Sequence, residues 1–519
     1  MDERPDVGHG SGGSIAEQYY GYHGMTGGLI SGLIGGVGLV FQPFALLLIV
    51  IGVTIGIVMG SIPGMTATMT VAVLVSFTFG MTPTEGMMLL LGIYGGALYA
   101  GSIPAILIRT PGTPSAAATL FDGFPMSEDG EAGKAIGIAT VASFIGGAVS
   151  VVIITLLSPS IADVALVFRS PEYFALAFFG LTIIASVSGD SVVKGMISGL
   201  LGMLIATVGI DPNVGFVRFT FGYDFLSAGV QFIAVMIGLF GLAEGLNRYQ
   251  EGISMLSIRQ ELENITPSLA EWREIRGVTL GSSVIGTIIG AIPGAGGDIA
   301  SFVTYNEAKR WTSNAVPAFG EGNPRGVAAA ESGNNASTGG ALVPTLTLGI
   351  PGDSVTAILI GALMVHGIRP GPGLFETEVD LVFSIFVGFF VVYLLILMFG
   401  LLGAHIWVRI INFPPKYLWP VILVLCVVGS FALRGGLFDV WAMVLAGALG
   451  FLLRADGYPL APMVLGLILG PIAESNLRRS LDISGGSMEI FLASPLAMAI
   501  LLLSVVSLTF PWIAARTRS

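Results

Sequence analysis

Four short segments set proline beside glycine inside otherwise apolar stretches of this 519-residue chain. They are Gly60-Ser61-Ile62-Pro63-Gly64, Pro111-Gly112-Thr113-Pro114-Ser115, Gly290-Ala291-Ile292-Pro293-Gly294 and Ile350-Pro351-Gly352-Asp353-Ser354. Proline removes a backbone donor and clashes with the preceding turn, so an apolar helix must stop or kink there. Within a bilayer the freed N–H and C=O groups survive only where they pack in protein or line a wet cavity. Half-helix N-termini aim N–H groups at an anion. Half-helix C-termini offer carbonyls to a cation such as Na⁺. The chemistry such breaks supply is ion binding.

The breaks come in matched pairs. Pro63 and Pro293 lie 230 residues apart. Pro104 is followed seven residues later by Pro111-Gly112, as Pro344 is by Pro351-Gly352, with an offset of 240. The ten additional residues fit a polar insertion between Ala308 and Arg325. Each copy reads as a break, a helix, a small-residue helix (Gly95-Gly96-Ala97 or Gly339-Gly340-Ala341) and a second break. A lone proline–glycine kink is common in membrane helices, and paired small residues serve close packing as readily as ligand contact. Two matched pairs instead point to a transporter site made of discontinuous helices.

Polar residues gather at the same places. Thr66, Thr68 and Thr70 follow the first break, Gly296-Gly297-Asp298 the third, and Glu331 to Thr338 precede the small-residue helix of the second copy. Ionisable groups at membrane depth are costly and mark function. Asp353 can also cap the helix that follows it, and the two roles are compatible. Asn334 and Asn335 read either as turn residues at a helix entrance or as amide donors for carboxylate oxygens. Arg109 suits a bidentate grip on a carboxylate or a snorkel to the interface. Asp122-Gly123-Phe124-Pro125 reads as a turn. Glu307, Lys309 and Arg310 read as a solvated helix end, and Arg478-Arg479 as contacts to lipid headgroups or a partner subunit.

Composition says what must position these residues. Lys and Arg number 22 and Asp and Glu 33, only 11% of the chain, against 54% hydrophobic residues and 74 glycines. Mean hydropathy is +0.87. So few charges cannot cover a soluble fold of this size, so the chain reads as an all-α polytopic membrane protein. The net charge of −11 has the wrong sign for nucleic acid. The single Cys426 excludes intrachain disulfides and thiolate clusters, and four scattered histidines form no HExxH. The acidic N-terminus makes a poor signal peptide. The organisation read from the apolar runs is a polar tail over 1–26, a first membrane half over 27–247, a charged connection over 248–276, a second membrane copy over 277–402 and C-terminal helices over 403–519. About 10–12 transmembrane helices plus half-helices are expected from runs of roughly 20 apolar residues. Charge alone leaves the orientation open.

These motifs resemble the large membrane subunit of the tripartite tricarboxylate transporters, the TctA family. The likeness rests on Gly60 to Gly64 with Met65-Thr66-Ala67, on Thr110 to Ala117, on Asp122 to Pro125, on Glu331 to Ala336, on Thr347 to Ser354 and on Glu474 to Leu481. It implies a secondary active importer in a prokaryotic plasma membrane, not an enzyme. Its partners would be a small four-span membrane subunit and an extracytoplasmic solute-binding protein. Its cargo would be di- or tricarboxylates such as citrate, coupled to Na⁺ or H⁺, with no bound cofactor. The implied fold has re-entrant hairpins, inverted repeats and an elevator-like motion, although inversion requires an odd number of crossings between the copies, which the short runs leave open. Carried onto this chain, substrate contacts are expected at Ser61, Pro63, Gly64, Thr113, Pro114, Ser115, Pro293, Gly294, Gly296, Asn334, Asn335, Pro351, Gly352, Asp353 and Ser354. Na⁺ is expected at Asp353, Thr66 and Asn335.

Two rival readings are a stand-alone organic-anion transporter or channel and an intramembrane aspartyl protease. The protease would pair Asp224, after Tyr223, with Asp298, but its Gly-x-Gly-Asp motif fails at Ala295. A protease does not account for the duplicated breaks, and a passive channel would need a continuous polar pore, whereas alternating access predicts saturable, ion-coupled uptake.

Overall fold

The computed structural model describes residues 25–165, 167–187, 191–211, 214–251, 262–312, 315–411 and 415–517. Most of the expected polar tail, and residues 252–261 of the charged connection, lie outside that set. The described chain is helical apart from one two-stranded ribbon, β1 (Gly209–Ile210) with β2 (Val217–Arg218). It is an all-α membrane protein.

The first half opens with α1 (Met25–Val40) and α2 (Pro43–Gly60). The chain turns through Gly64 at φ +86°, a left-handed conformation that glycine adopts without steric cost. Thr66 then caps α3 (Ala67–Leu74), accepting the Met69 N–H at 3.1 Å. A 3-10 turn over Val75–Gly80 leads to α4 (Pro83–Ala100), which starts on a Thr82/Glu85 capping box and continues into α5 (Ser102–Ile108). A Cβ on Gly52, Gly56 or Gly60 would lie 2.4, 2.5 or 2.3 Å from the carbonyl oxygens of Leu89, Ile93 and Ala97. Rising numbers meet rising numbers, so α2 and α4 are parallel, and the chain between them must run back through α3 and the 3-10 turn. The half continues with α6 (Leu120–Glu128), α7 (Ala132–Ala165), α8 (Ser170–Val187), α9 (Val192–Ala206) and, after the ribbon, α10 (Phe232–Met236), a π-turn and α11 (Ala243–Glu251).

The second half uses the same devices. α12 (Leu269–Gly290) ends in a turn through Gly294 at φ +82°, and α13 (Gly296–Trp311) runs back. α14 (Pro324–Leu348) lies parallel to α12, with Gly286 and Gly290 pressed on the carbonyls of Gly333 and Ser337. These partners sit 230 and 240 residues beyond Gly56, Gly60, Ile93 and Ala97. α14 ends at Gly349 (φ +68°), 240 residues after the left-handed Arg109 (φ +56°). α15 (Ser354–Val365), α16 (Leu374–Thr377), α17 (Val379–Ile411), α18 (Pro415–Ala432), α19 (Leu437–Ala455), α20 (Ala461–Ile483), α21 (Glu489–Ala493) and α22 (Pro495–Thr517) complete the chain.

Close approaches also fix chain direction between the halves. α4 is parallel to α17, where Met88 meets Gly388, Gly95 meets Val392 and Tyr99 meets Gly400. α17 is antiparallel to α7, where Thr140 meets Gly400 and Tyr393 meets Gly147. α7 is parallel to α14, through Gly146 on Ser332 and Ser150 on Gly339. Thus α4 and α14 run in opposite directions. Face I holds the start of α12 and α14; face II holds the start of α4, with His366 at the end of α15 beside Gly86.

Five described helices are long and apolar enough to cross a membrane: Pro43–Gly60, Pro83–Ile108, Ala132–Ser158, Val379–Ile410 and Leu437–Ala455. The apolar-run reading gave more because α14 is buried along nearly all its length and carries Glu331, Asn334 and Asn335 inward, and because α3, α13 and α15 are half-length. Two local readings change. Asn334 and Asn335 lie in the middle of α14 rather than at an entrance. Asp122 to Pro125 belongs to helix α6 rather than a turn: the Asp122 carboxylate accepts N–H bonds from Gly320 (2.8 Å), Gly322 (3.1 Å) and Asn323 (2.7 Å), and so ties down the Gly320 to Asn323 end of the insertion.

Candidate functional site

The four breaks meet at one cavity of about 550 Å³. Thr66 to Thr68 bring the N-terminus of α3, Thr113 to Ser115 a 3-10 turn, Gly294 to Ile299 the N-terminus of α13, and Asp353 to Val355 that of α15. Three α-helix N-termini, one from the first half and two from the second, therefore present first-turn N–H groups to the same space, beside the Thr113 to Ser115 turn. The rim towards face I is built by Glu244, Arg454, Tyr458 and Leu460. There Arg454 is ion-paired to the buried Glu244.

The breaks brace one another. The Gly294 N–H donates to the Gly352 carbonyl at 2.7 Å, joining the two interruptions of the second half. In the first half Gly112 N–H donates to the Gly101 carbonyl at 3.0 Å, and a Cβ on Gly112 would sit 2.2 Å from the Gly60 carbonyl oxygen. Only glycine allows that approach.

Asp353 is the N-cap of α15. Its Oδ1 accepts from the Thr356 N–H (2.7 Å) and hydroxyl (2.9 Å), while Thr356 Oγ1 accepts the Asp353 N–H (2.8 Å). Its Oδ2 accepts a hydrogen bond from Tyr94, a fully buried residue in the middle of α4 stacked on Phe389. Asp298, in the first turn of α13, is exposed to the cavity and its carboxylate makes no hydrogen bond or ion pair among the described residues. Thr113 and Ser115 hydroxyls share a bond of 3.0 Å.

Of the residues singled out from sequence, Thr66, Thr113, Pro114, Ser115, Gly294, Gly296, Asp353 and Ser354 line the cavity. Ser61, Pro63, Gly64, Pro293, Pro351 and Gly352 shape the turns behind it; Ser61 is buried, its hydroxyl donating to the Ile57 carbonyl at 2.7 Å. Asn334 lies just beneath: a Cβ on Gly297 would fall 2.4 Å from its Oδ1 and 3.3 Å from Ser115 Cβ. Both polar atoms of the Asn334 carboxamide are buried without a protein partner. Asn335 is not brought to Asp353 and Thr66. Its Nδ2 donates to Ser143 Oγ (2.9 Å) and to the Glu331 carbonyl (3.0 Å), within a second polar cluster. In that cluster the fully buried Glu331 carboxylate accepts from Thr119 and from Ser143 (3.0 Å). Arg109 sits away from the cavity, over the Phe124 ring at 5.5 Å. No group of three His, Cys, Asp or Glu side chains poised for a metal occurs among the described residues. Asp224, exposed in a short turn after the ribbon, does not line the cavity with Asp298.

Sequence reading did not single out Tyr94, Glu244, Arg454 or Tyr458. Tyr94 adjoins the Gly95-Gly96 pair, the one local signal; the others carry none.

Residues 46–465 match the profile of the Tripartite tricarboxylate transporter TctA family. An Agrobacterium vitis protein, described as an uncharacterized 52.8 kDa protein in the TAR-I ttuC′ 3′ region, is 37% identical over 430 residues, covering 83% of this chain and 86% of that one. A second from the same organism, described as an uncharacterized protein in the TAR-II ttuC′ 3′ region, is 36% identical over 221 residues, 43% of this chain and 91% of the relative. No solved structure matches the chain. The family match spans most of the sequence and every break that builds the cavity, so the chain belongs to the tripartite tricarboxylate transporter TctA family.

Proposed function

We propose that the chain is the translocating subunit of a secondary importer of di- or tricarboxylates, citrate among them, and that the central cavity is its cargo site. One observation carries this reading: helix N-termini from both halves converge on a single cavity. N–H groups there would hold carboxylate oxygens, and the unpartnered Asn334 carboxamide beneath Gly297 offers further donors. Two carboxylates, Asp298 and Asp353, face the same space, and an anion does not enter it alone. A cation must neutralise them, as Na⁺ against Asp353, Thr66 and nearby carbonyls, or as protons on the acids. The charge of the site supports coupling to a cation gradient. Asn335 is left out of this cation set because its amide is turned to Glu331 and Ser143.

The opposite directions of α4 and α14, and the 230- and 240-residue offsets of their contacts, support reading the halves as inverted repeats. The two hairpins with their break segments then form the unit that moves. Basic residues gather on face I, among them Lys134, Arg273, Arg276, Lys309, Arg310 and Arg325, which we take as cytoplasmic. A small membrane subunit and an extracytoplasmic binding protein would complete the transporter in a prokaryotic plasma membrane. The test is uptake by proteoliposomes holding the chain and those partners, with a panel of labelled carboxylates and with or without a Na⁺ or proton gradient. Saturable, gradient-driven accumulation is expected; flux indifferent to both gradients would make the chain a channel.

A further inference from the structure

A second cavity, of about 810 Å³, lies on face II behind the Asp353 break. Three arginines from three separate segments line it: Arg169 between α7 and α8, Arg369 after α15, and Arg479 in α20. All three are exposed, and no Asp or Glu lines the cavity. None of the three guanidiniums has an ion-pair or hydrogen-bond partner among the described residues. The contrast with their neighbours is sharp. Arg478 pairs with Asp211 at 2.8 Å and Glu474 at 2.7 Å, and Arg218 with Glu474 at 2.6 Å. Asp211 and Glu474 are thus taken by other arginines, and Glu172 by the Arg169 main-chain N–H and the Ser494 hydroxyl, so the three guanidiniums that line the cavity keep their charge unpaired.

Its place relative to the cargo site gives these charges a role. Gly349 lines the face-II cavity and Asp353 lines the central one, so only Ile350, Pro351 and Gly352 separate the two along the chain. α20 is shared in the same way, with Leu465 on the central cavity and Leu467 and Ile468 on the other. Between them Ile350, Leu465 and Leu469 form an apolar cluster with Leu176 and Ala177. An apolar wall one segment thick divides an acidic cavity from an arginine-lined one.

We infer that the face-II cavity is the outer vestibule of the transporter, in which Arg169, Arg369 and Arg479 bind the carboxylate groups of the cargo before the Ile350 wall opens. The guanidinium fork fits a carboxylate bidentately, and a cleft lined by one sign of charge raises the local concentration of the opposite ion by about 10-fold or more. Three forks on three segments suit a cargo with two or three carboxylates. The inference rests on the carboxylate reading above. The same oxyanion chemistry is offered by an anionic lipid headgroup, and the experiment separates the two.

The native Cys426 is buried, so Cys426→Ser with Met364→Cys gives a single reporter thiol in the vestibule. The full chain, in discs of zwitterionic lipid, is treated with anionic and with cationic methanethiosulfonates. The anionic reagent should react faster, and R169Q/R369Q/R479Q should lower the anionic-to-cationic rate ratio by about 10-fold. The corresponding triple lysine variant should keep it. Citrate should slow the anionic reagent in the parent and not in the glutamine variant. A ratio unmoved by the glutamine variant, with the parental melting temperature kept, overturns the vestibule. Protection by phosphatidylglycerol discs with none by citrate overturns it too, in favour of a lipid site. Uptake distinguishes the two levels of the argument. A lost rate ratio with no carboxylate of the panel taken up retires the cargo reading and the vestibule's carboxylate role with it, leaving only an anion-attracting arginine cavity, whereas an unmoved ratio with normal citrate uptake retires the vestibule alone.

Discussion

Asp353→Asn separates structure from transport at one atom. Oδ1 carries the cap of α15, accepting from the Thr356 N–H at 2.7 Å and the Thr356 hydroxyl at 2.9 Å. Asparagine is an equal N-cap, so those bonds persist. At the other position an amide replaces Oδ2, and the Tyr94 hydroxyl, until then a donor to it, rotates to accept. Stability should therefore stay within about 1 kcal/mol of the parent. Asp353→Ala behaves differently: the lost cap costs about 1 kcal/mol, and the buried Tyr94 hydroxyl left without an acceptor costs about 1–3 kcal/mol more. Transport inverts the comparison. A carboxylate about 4 Å from a cation contributes up to about 4 kcal/mol at an effective dielectric of 20, and each 1.4 kcal/mol is about a factor of ten in affinity. Asp353→Asn should raise the half-saturating cation concentration at least about 100-fold while melting near the parental temperature. The assay pairs thermal melting in detergent with uptake titrated against the coupling cation. Parental cation dependence in Asp353→Asn would refute the assignment of this carboxylate to the cation.

Asn334→Ala should leave the melting temperature nearly unchanged, because its buried carboxamide forgoes no protein hydrogen bond, yet raise the substrate concentration for half-maximal uptake by about tenfold; unaltered kinetics would remove it from the site. Gly290→Ala and Gly60→Ala would drive a Cβ to 2.1 and 2.3 Å from the Ser337 and Ala97 carbonyl oxygens, and should each destabilise by about 1–3 kcal/mol or more. Gly38→Ala, with nothing within 4 Å, should stabilise α1 by about 0.5–1 kcal/mol, and the same melting series checks all three. Glu331→Gln should keep the fold, since the Thr119 hydroxyl can accept from the new amide while Ser143 still donates. Glu331→Ala should lower the melting temperature clearly, because it removes the acceptor of both hydroxyls.

What could be read from the sequence was what the chain encodes locally. A proline–glycine pair stops a helix wherever it falls, so the four breaks appear where their residues are, and the 230- and 240-residue offsets survive as matched turns at Gly64 and Gly294. Thr66 and Asp353 begin helices because hydroxyl and carboxylate oxygens satisfy first-turn N–H groups. Partner choice is not local. Tyr94 meets Asp353 across 259 residues, Arg454 meets Glu244 across 210, and Thr119 meets Glu331 across 212, so nothing in the neighbouring sequence names the partner. Asp122 shows the cost of reading locally: Asp-Gly-Phe-Pro is good turn composition, yet a helix forms because the carboxylate anchors the distant Gly320 to Asn323 loop. Asn335 shows the converse, since adjacent amides on one helix point about 100° apart, and Asn334 and Asn335 therefore serve different clusters although they are neighbours in sequence. The same geometry explains why fewer described helices are long and apolar than the sequence reading expected: α14 turns its polar residues inward, where they meet hydroxyls and amides instead of lipid. A helix of that kind is hidden from hydropathy by the very residues that place it at the centre of the protein.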